Sequence, residues 1–128
     1  MLHVALWEPE IPPNTGNIAR LCAATGCALH LIGRLGFRID ERSLRRAGLD
    51  YWHAVELHRH DTFADFERAM SEASRRVWCL SAHATTPYTR LAFRAGDCVL
   101  FGAETRGLPP EVMERYAAEC FTIPMPSG

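Results

Sequence analysis

The chain has 128 residues and a mass of 14.4 kDa, a size at which one domain with a single hydrophobic core accounts for the whole length. Apolar residues make up 48% of the chain, and the formal net charge of −1 argues against a general nucleic-acid binder. No apolar run approaches the roughly 18 residues of a membrane span, and no basic segment of the kind that opens a secretory signal precedes the first apolar run. We therefore expect a cytoplasmic protein with no membrane partner.

Strand-like runs alternate with helix-like stretches from the first residues onward. The pattern predicts strands at 2–7, 28–32, 54–57, 76–81, 97–102 and 121–123, and helices at 15–25, 41–47, 62–73 and 109–116. Gly26 and Gly33 bound the second strand, Gly48 is typical of a glycine that ends a helix, and Asp61 is the expected cap of the third helix. Its apolar stripe is expected to comprise Phe63, Phe66, Ala69, Met70 and Ala73. The alternation predicts an α/β fold, with a mostly parallel sheet and helices on both faces.

The cysteines and histidines do not form a recognisable metal-ligand set. The five cysteines are odd in number and contain no C-x-x-C pair, and Cys79 and Cys98 lie in apolar runs where cysteine behaves as a small hydrophobe. His58 and His60 flank Arg59 and are more typical of a polar strand end than of a metal site. The sequence therefore predicts neither a disulfide framework nor a bound metal.

The two asparagines of the chain, Asn14 and Asn17, follow the first predicted strand, and the chain contains no glutamine and no lysine. A polar turn between a strand and a helix is where α/β proteins hold polar substrates. Asn14 alone could also be explained as a helix cap. Capping does not explain Asn17 and Arg20. These two residues are three positions apart and therefore share one helix face. Leu21 and Cys22 are expected to turn towards the core.

Two further strand-to-loop transitions carry residues suited to binding. Residues 101–109 (FGAETRGLP) follow the most apolar strand, and residues 123–128 (IPMPSG) follow the last one. Ligands of open α/β sheets bind beyond the carboxyl ends of the strands, so these loops and residues 14–20 are expected to converge. Gly102 and Gly107 would permit close approach or positive φ. The alternative is that Glu104 and Arg106 form a local surface ion pair.

All fourteen basic residues are arginine, and five of them fall within thirteen positions: Arg34, Arg38, Arg42, Arg45 and Arg46. The planar guanidinium group suits phosphate and stacks on bases, so this cluster fits an RNA contact as well as it fits a solvated helix face.

Four segments together resemble one family. They are residues 14–20 (NTGNIAR), 44–51 (LRRAGLDY), 101–109 (FGAETRGLP) and 123–125 (IPM), and the resemblance runs from residue 1 to residue 125. The family is the tRNA (cytidine/uridine-34) 2′-O-methyltransferases of the trefoil-knotted SPOUT superfamily. The resemblance implies a homodimer with a SPOUT-type α/β knot. It further implies methyl transfer from S-adenosylmethionine to the ribose 2′-oxygen of the wobble nucleotide, in the anticodon stem-loop of tRNA.

The resemblance also assigns roles by motif position. Arg20, Asn14 and Glu104 would be the catalytic residues. Leu80, Gly102, Ile123 and Met125 would line the cofactor pocket, largely through backbone groups, and Arg45, Arg46 and Asn17 would contact RNA. A guanidinium group stays protonated in proteins, so Arg20 is better suited to stabilising a developing alkoxide than to acting as a base.

One family feature does not occur in the sequence. The third motif, with the knot-closing C-terminal helix, should follow Gly128, so we interpret residues 1–128 as a single SPOUT domain truncated before that motif. The alternatives are a non-catalytic RNA-binding protein of the same fold, a 2′-O-methyltransferase acting on another RNA position, and a small α/β ligand-binding domain.

Overall fold

A computed structural model describes residues 2–36, 55–81 and 93–122. Within these ranges the strands are β1 (His3–Trp7), β2 (Ala28–Ile32), β3 (Glu56–His60), β4 (Val77–Leu80), β5 (Cys98–Phe101) and β6 (Cys120–Phe121). The helices are α1 (Pro12–Thr25), α2 (Phe63–Glu72) and α3 (Pro110–Arg115), and a 3₁₀ turn (Ala117–Glu119) leads from α3 to β6. The predicted α/β alternation is confirmed.

The strands form one sheet in the order β3-β2-β1-β5-β4-β6, and every described pair is parallel. β1 is therefore central: His3 pairs with Ala28 of β2 on one side and with Cys98 of β5 on the other. Consecutive strands run outward from β1 to β3, and the chain then crosses to the other half of the sheet. This crossing is what places β1 beside β5.

Helices cover both faces of the sheet, as predicted. On one face Ala19 and Cys22 of α1 pack in a cluster with Leu29 and Leu31 of β2. On the other face lie α2 and α3, whose core residues are Phe66, Met70 and Val112; they pack with Ala5, Cys98 and Leu100 of the sheet. Buried apolar runs with helices on either side are what a parallel sheet requires.

Two details of α2 differ from the sequence prediction. The cap is Thr62 and not Asp61, because the Thr62 side chain accepts a hydrogen bond from the backbone N–H of Asp65 at 3.1 Å. The expected apolar stripe is confirmed at its buried centre, Phe66 and Met70, but Ala73 is exposed because the helix has already ended at Glu72.

The predicted strand at 54–57 was wrong in position. β3 pairs with β2 from Glu56 to His60, so His58 and His60 lie within the strand and not beyond its end. β3 lies at one end of the described sheet, where polar residues are tolerated because only one side of the strand is paired.

A row of histidines crosses the three strands β1, β2 and β3. Nδ1 of His3 is 2.8 Å from Nε2 of His30, and Nδ1 of His30 is 2.9 Å from Nε2 of His60. Burial lowers the pKa of His30 to about 3 and also lowers the pKa of His3 and of His60. A neutral imidazole has a single N–H, so all N–H groups of this row must point the same way when the three rings are neutral.

The predicted helix at 41–47 and its closing Gly48 lie outside the described residues, and so does the segment that would form a knot. Over residues 2–36, 55–81 and 93–122 no helix is long and apolar enough to cross a membrane. The same ranges contain no group of three or more metal-ligating side chains placed to hold an ion. All five cysteines are free thiols, and Cys79 and Cys98 are buried as predicted.

Candidate active site at the carboxyl edge of the sheet

The loops that follow β1 and β5 leave the sheet from neighbouring strands and lead to helices on opposite faces. We call residues 8–11 the β1–α1 loop and residues 102–109 the β5–α3 loop; Leu6 and Phe101 are register partners just before them. Such a divergence opens a crevice beyond the carboxyl ends of the strands, the usual ligand site of open α/β sheets. Of the three segments predicted to converge, residues 101–109 lie at this crevice, whereas residues 14–20 form part of helix α1 and the segment that meets the β5–α3 loop is residues 8–11. The third, residues 123–128, lies outside the described residues.

The β1–α1 loop begins at a strained residue. Glu8 has φ of 42°, a left-handed backbone conformation that residues other than glycine rarely adopt. Its carboxylate accepts hydrogen bonds from the backbone N–H of Arg34 at 3.1 Å and from Arg106 at 3.2 Å. A Cβ at Gly33 would lie 2.8 Å from the Glu8 side chain, so the glycine makes room for this carboxylate. Strain of this kind persists where surrounding contacts determine the conformation.

Glu10, Glu104 and Thr105 tie the two loops together in both directions. The backbone N–H of Glu10 donates to the Glu104 carboxylate at 2.7 Å. The Glu10 carboxylate in turn accepts from the Thr105 backbone N–H at 3.1 Å and from its hydroxyl at 2.8 Å. These hydrogen bonds lower the pKa of Glu10. Each loop thus holds a backbone amide of the other with a carboxylate.

The alternative of a local Glu104–Arg106 ion pair is wrong. Arg106 pairs with Glu8 and lies 3.8 Å from Glu10, while Glu104 bonds to the Glu10 backbone. The side chains of the turn reach across to the neighbouring loop because the turn is closed by its own backbone, with Ala103 and Gly107 bridged to each other. Beside these contacts opens a cleft of about 670 Å³, lined by Glu8, Glu10, Arg34, Leu35, Gly36 and Arg106.

Helix α1 begins at Pro12, three residues earlier than predicted, because proline suits the first turn, where no intrahelical N–H acceptor is needed. The cap is Ile11, and no side chain caps the helix. Asn14 therefore lies inside the first turn, so the explanation of Asn14 as a cap is wrong.

The face of α1 that points away from the sheet carries the predicted polar residues. Asn14, Asn17 and Arg20 are all exposed, whereas Thr15 and Ala19 are buried. At a rise of about 1.5 Å per residue, Asn14 and Arg20 are about 9 Å apart along the helix axis. Cys22 is buried as predicted. Leu21 is 64% exposed, contrary to the prediction, because its position four residues after Asn17 places it on the outer face.

Gly102 and Leu80, both predicted to line a cofactor pocket, lie at the carboxyl ends of adjacent strands. Leu80 pairs with Phe101, so the loop residue Gly102 follows directly beside it. A Cβ at Gly102 would lie 2.3 Å from the backbone of Gly107, so this glycine permits the loop to fold back on itself. Gly107 has φ of 67°, as the alternative of positive φ anticipated. Ile123, Met125, Arg45 and Arg46 lie outside the described residues.

Glu8, Glu10 and Thr105 were not among the residues predicted for the site. The available signal was their position: Glu8 and Glu10 directly follow a buried strand, and Thr105 lies between two residues already selected. The sequence could not show that Glu10 and Thr105, which are 95 positions apart, bond to each other.

Comparison with known proteins places the whole chain in one family. Residues 1–128 match the model of the SpoU rRNA Methylase family. A tRNA (cytidine(34)-2′-O)-methyltransferase of Yersinia pestis is 48% identical over 122 residues, covering 93% of this chain and 75% of that protein. The Escherichia coli K12 protein of the same name is 45% identical over 119 residues, covering 93% of this chain and 74% of its own length.

Solved structures give the same result. One that is described as giving insight into the 2-OH methylation of C/U34 on tRNA has a TM-score of 0.90 and 48% identity, covering 100% of this chain and 82% of the other. An AdoMet-bound rRNA methyltransferase of Sinorhizobium meliloti has a TM-score of 0.82 and 26% identity, covering 98% of this chain and 48% of the other. The family match over residues 1–128, together with relatives that are 45% and 48% identical over 93% of the chain, establishes that the chain belongs to the SpoU methylase family of SPOUT methyltransferases.

Proposed function

We propose that this protein transfers a methyl group from S-adenosylmethionine to the ribose 2′-oxygen of nucleotide 34 in tRNA. The observation that carries the proposal is the 48% identity, over nearly the whole chain, to a relative named for this reaction on cytidine 34. The geometry supports it, since α1 begins, and β4 and β5 end, at the same edge of the parallel sheet.

S-adenosylmethionine, when bound, supplies an electrophilic methyl group. The residues at the ends of β4 and β5 fit such a ligand, because Leu80 and Gly102 bring two backbone segments together beyond adjacent parallel strands. We assign Leu80 and Gly102 to cofactor binding, together with Ile123 and Met125, whose position is known from the sequence alone.

The chain's own task is to align the ribose hydroxyl and to stabilise the charge that develops on its oxygen as the proton passes to water. The O–CH3 bond forms as the S–CH3 bond breaks, and S-adenosylhomocysteine is the leaving group. We assign this stabilisation to Arg20, whose exposed position on α1 suits a contact with the phosphate next to the reacting ribose. Asn14 would orient the nucleotide through its amide. Glu104 would hold the β1–α1 loop in place through the Glu10 N–H that it already accepts.

The RNA contacts would be made by Arg45, Arg46 and Asn17, of which Asn17 lies on the same helix face as Arg20. We further propose a homodimer. Leu21 on the outer face of α1 is 64% exposed, and Ile11, which caps the helix, is 40% exposed, so a second subunit packed there would remove apolar surface from water.

The proposal is tested by incubating the full-length protein with methyl-labelled S-adenosylmethionine and tRNA transcripts. We expect label at nucleotide 34 and resistance of the adjacent phosphodiester to alkali, because a 2′-O-methyl group blocks cleavage there. The matched control is a tRNA with a 2′-deoxyribose at position 34, which has no oxygen to accept the methyl group.

Label in the deoxy control, or label elsewhere in the tRNA, would contradict the proposed reaction. Salt-dependent tRNA binding without any transfer would instead favour the alternative of a non-catalytic RNA-binding protein.

A further inference from the structure

We propose that Glu10 is a positioning residue of the transfer reaction: its carboxylate holds the β5–α3 loop against the β1–α1 loop and so fixes the cofactor side of the site relative to α1. The inference rests on the proposed function, because it assigns Gly102 to the cofactor side and Arg20 to the side of the ribose. Glu10 itself touches neither reactant in this account.

The tip of the β5–α3 loop is directed at the β1–α1 loop residue by residue. Glu104 accepts from the Glu10 backbone, Thr105 donates twice to the Glu10 carboxylate, and Arg106 pairs with Glu8. The bridge between Ala103 and Gly107, with N···O distances of 3.3 and 2.8 Å, makes the tip a closed turn. A closed turn moves as a unit, so contacts at its tip determine where its base, next to Gly102, is held.

Glu10 is also fixed from the side of the loop that follows β2. The backbone N–H of Gly36 donates to the carbonyl of Pro9 at 2.9 Å, and a Cβ at Gly36 would lie 2.9 Å from Cα of Glu10. Glu8, two residues earlier, bonds to the backbone of Arg34 in that same loop. Three loops at the carboxyl edge therefore meet at residues 8–10, and the Glu10 carboxylate is the group that extends from there to the β5–α3 loop.

The position of Glu10 in the chain makes this contact relevant to transfer. Helix α1 begins two residues after Glu10 and carries Asn14 and Arg20. Thr105 lies at the other end of the contact, and Gly102 is at the base of the same loop. In-line transfer requires the methyl donor and the acceptor oxygen to be aligned, and a misplacement of about 1 Å costs about 100-fold in rate. A residue that joins the two sides is thus expected to affect turnover more than the binding of either reactant.

The test compares Glu10→Ala, Glu10→Gln and Glu67→Gln in the full-length protein. Glu67 is a matched control: its side chain is 24% exposed against 29% for Glu10, and it also joins two elements, by accepting from Arg115 and Tyr116. These contacts link α2 to α3 and involve no loop of the carboxyl edge. Glutamine at position 10 keeps an oxygen that can accept both Thr105 donors, whereas alanine keeps none.

We expect Glu10→Ala to lower kcat by about 10- to 100-fold. KM for tRNA and the Kd of S-adenosylhomocysteine, measured by calorimetry, should change less than about threefold, and amide exchange in residues 103–107 should become faster. Glu10→Gln should recover most of the lost kcat, and Glu67→Gln should leave kcat unchanged. The recovery and the kcat-against-KM split are results that a merely structural role would not produce.

Unchanged kcat in Glu10→Ala, when the wild-type protein is active, would overturn the positioning role and leave the proposed function standing. An equal loss of kcat in Glu67→Gln, or a loss confined to KM, would overturn it as well. An inactive wild-type protein would overturn the proposed function, and this inference with it.

Discussion

Nδ1 of His3 in β1 lies 2.8 Å from Nε2 of His30 in the neighbouring parallel strand β2, and both side chains are buried. His30 continues the row to His60 and stacks against His58 at a centroid distance of 4.7 Å. A buried polar row of this kind stabilises the fold while its rings are neutral, because burial disfavours the charged form of His3, His30 and His60 more than the nearby Glu56 and Asp65 favour it.

The histidine row predicts that stability falls as the pH is lowered. Burial holds the pKa of His30 at about 3, and His58 disfavours the charge further, whereas an unfolded histidine titrates near 6.5. The unfolded chain therefore binds more protons between these values, so the free energy of unfolding decreases as the pH falls from 7. We expect a loss on the order of 2 kcal/mol between pH 7 and pH 5 from His30 alone.

Urea unfolding at pH 7, 6 and 5 measures this loss. Replacing the half-exposed His58 by asparagine should preserve the dependence, since His3, His30 and His60 remain. Equal free energies of unfolding at all three pH values would contradict the prediction.

The contacts of Asp97 predict that its replacement lowers stability without lowering activity. Burial alone would raise the pKa of Asp97, but bonds from Arg76 at 2.6 Å, from the Trp78 indole at 2.8 Å and from the backbone N–H of Arg94 lower it to about 2. Asp97→Asn should lower the free energy of unfolding by about 3 kcal/mol, because it removes the negative charge that accepts two hydrogen bonds from the partly buried Arg76.

Asp97 immediately precedes β5, at the opposite edge of the sheet from the candidate site. Chemical denaturation should therefore show the full loss, while kcat per folded molecule stays within about twofold of wild type. A variant as stable as the parent would show that the pair contributes nothing.

Gly102 and Gly107 form a matched pair in one loop. A Cβ at Gly102 would lie 2.3 Å from backbone atoms, so Gly102→Ala must displace the β5–α3 loop. At Gly107 there is open space, and alanine meets only the cost of a φ of 67°, about 1–2 kcal/mol.

We expect Gly102→Ala to abolish S-adenosylhomocysteine binding in calorimetry, and Gly107→Ala to bind within about threefold of wild type with a lower Tm. The opposite ranking would show that the fold-back of the loop at Gly102 is dispensable.

The role assigned to Arg20 predicts that its replacement lowers the rate of methyl transfer but not cofactor binding. Arg20→Ala should lower kcat by about 10²- to 10³-fold, the usual cost of removing one stabilising donor from a developing anion, with cofactor affinity unchanged. Arg20→Lys keeps the charge but not the planar fork, so an intermediate rate is expected.

The exposed Arg68 of α2 provides the control, because its side chain is 69% exposed and paired only with Asp65 among the bonds described for it. Both variants are compared by steady-state methyl transfer to tRNA, in which Arg68→Ala should keep the wild-type kcat. Near-normal turnover of Arg20→Ala would remove Arg20 from the catalytic set.

Local patterns were sufficient to predict most of the elements. The apolar runs of β1, β2 and β5 and the stripe at Phe66 and Met70 are dictated by burial, and burial repeats at intervals that can be read along the chain. The errors occurred where pairing with a distant strand decides the boundary. β3 was placed two residues too early because its bounds are set by hydrogen bonds to β2, and these leave no mark on its own polar residues.

The candidate site was predictable as a place but not as a network. Gly102, Glu104 and Asn14 were selected as candidates because polar and glycine residues follow buried strands. Glu10 and Thr105 were missed because their interaction depends on β1 lying next to β5, which is a property of strand order and not of sequence spacing. Leu21 shows the same limit on a smaller scale: helix periodicity fixes which residues share a face, but not which face meets the sheet.

The central place of β1 has a consequence for synthesis. Leu6 pairs with Phe101, 95 positions further along, so the first strand to leave the ribosome waits for a partner that is made near the end of the described chain. At typical rates of 5–20 residues per second, one edge of β1 stays open for roughly 5–20 s. During that time the nascent chain offers the unpaired edge of an apolar strand to any chaperone or neighbouring chain. The pairing of β1 with β5, at the centre of the sheet, is therefore among the last contacts to form.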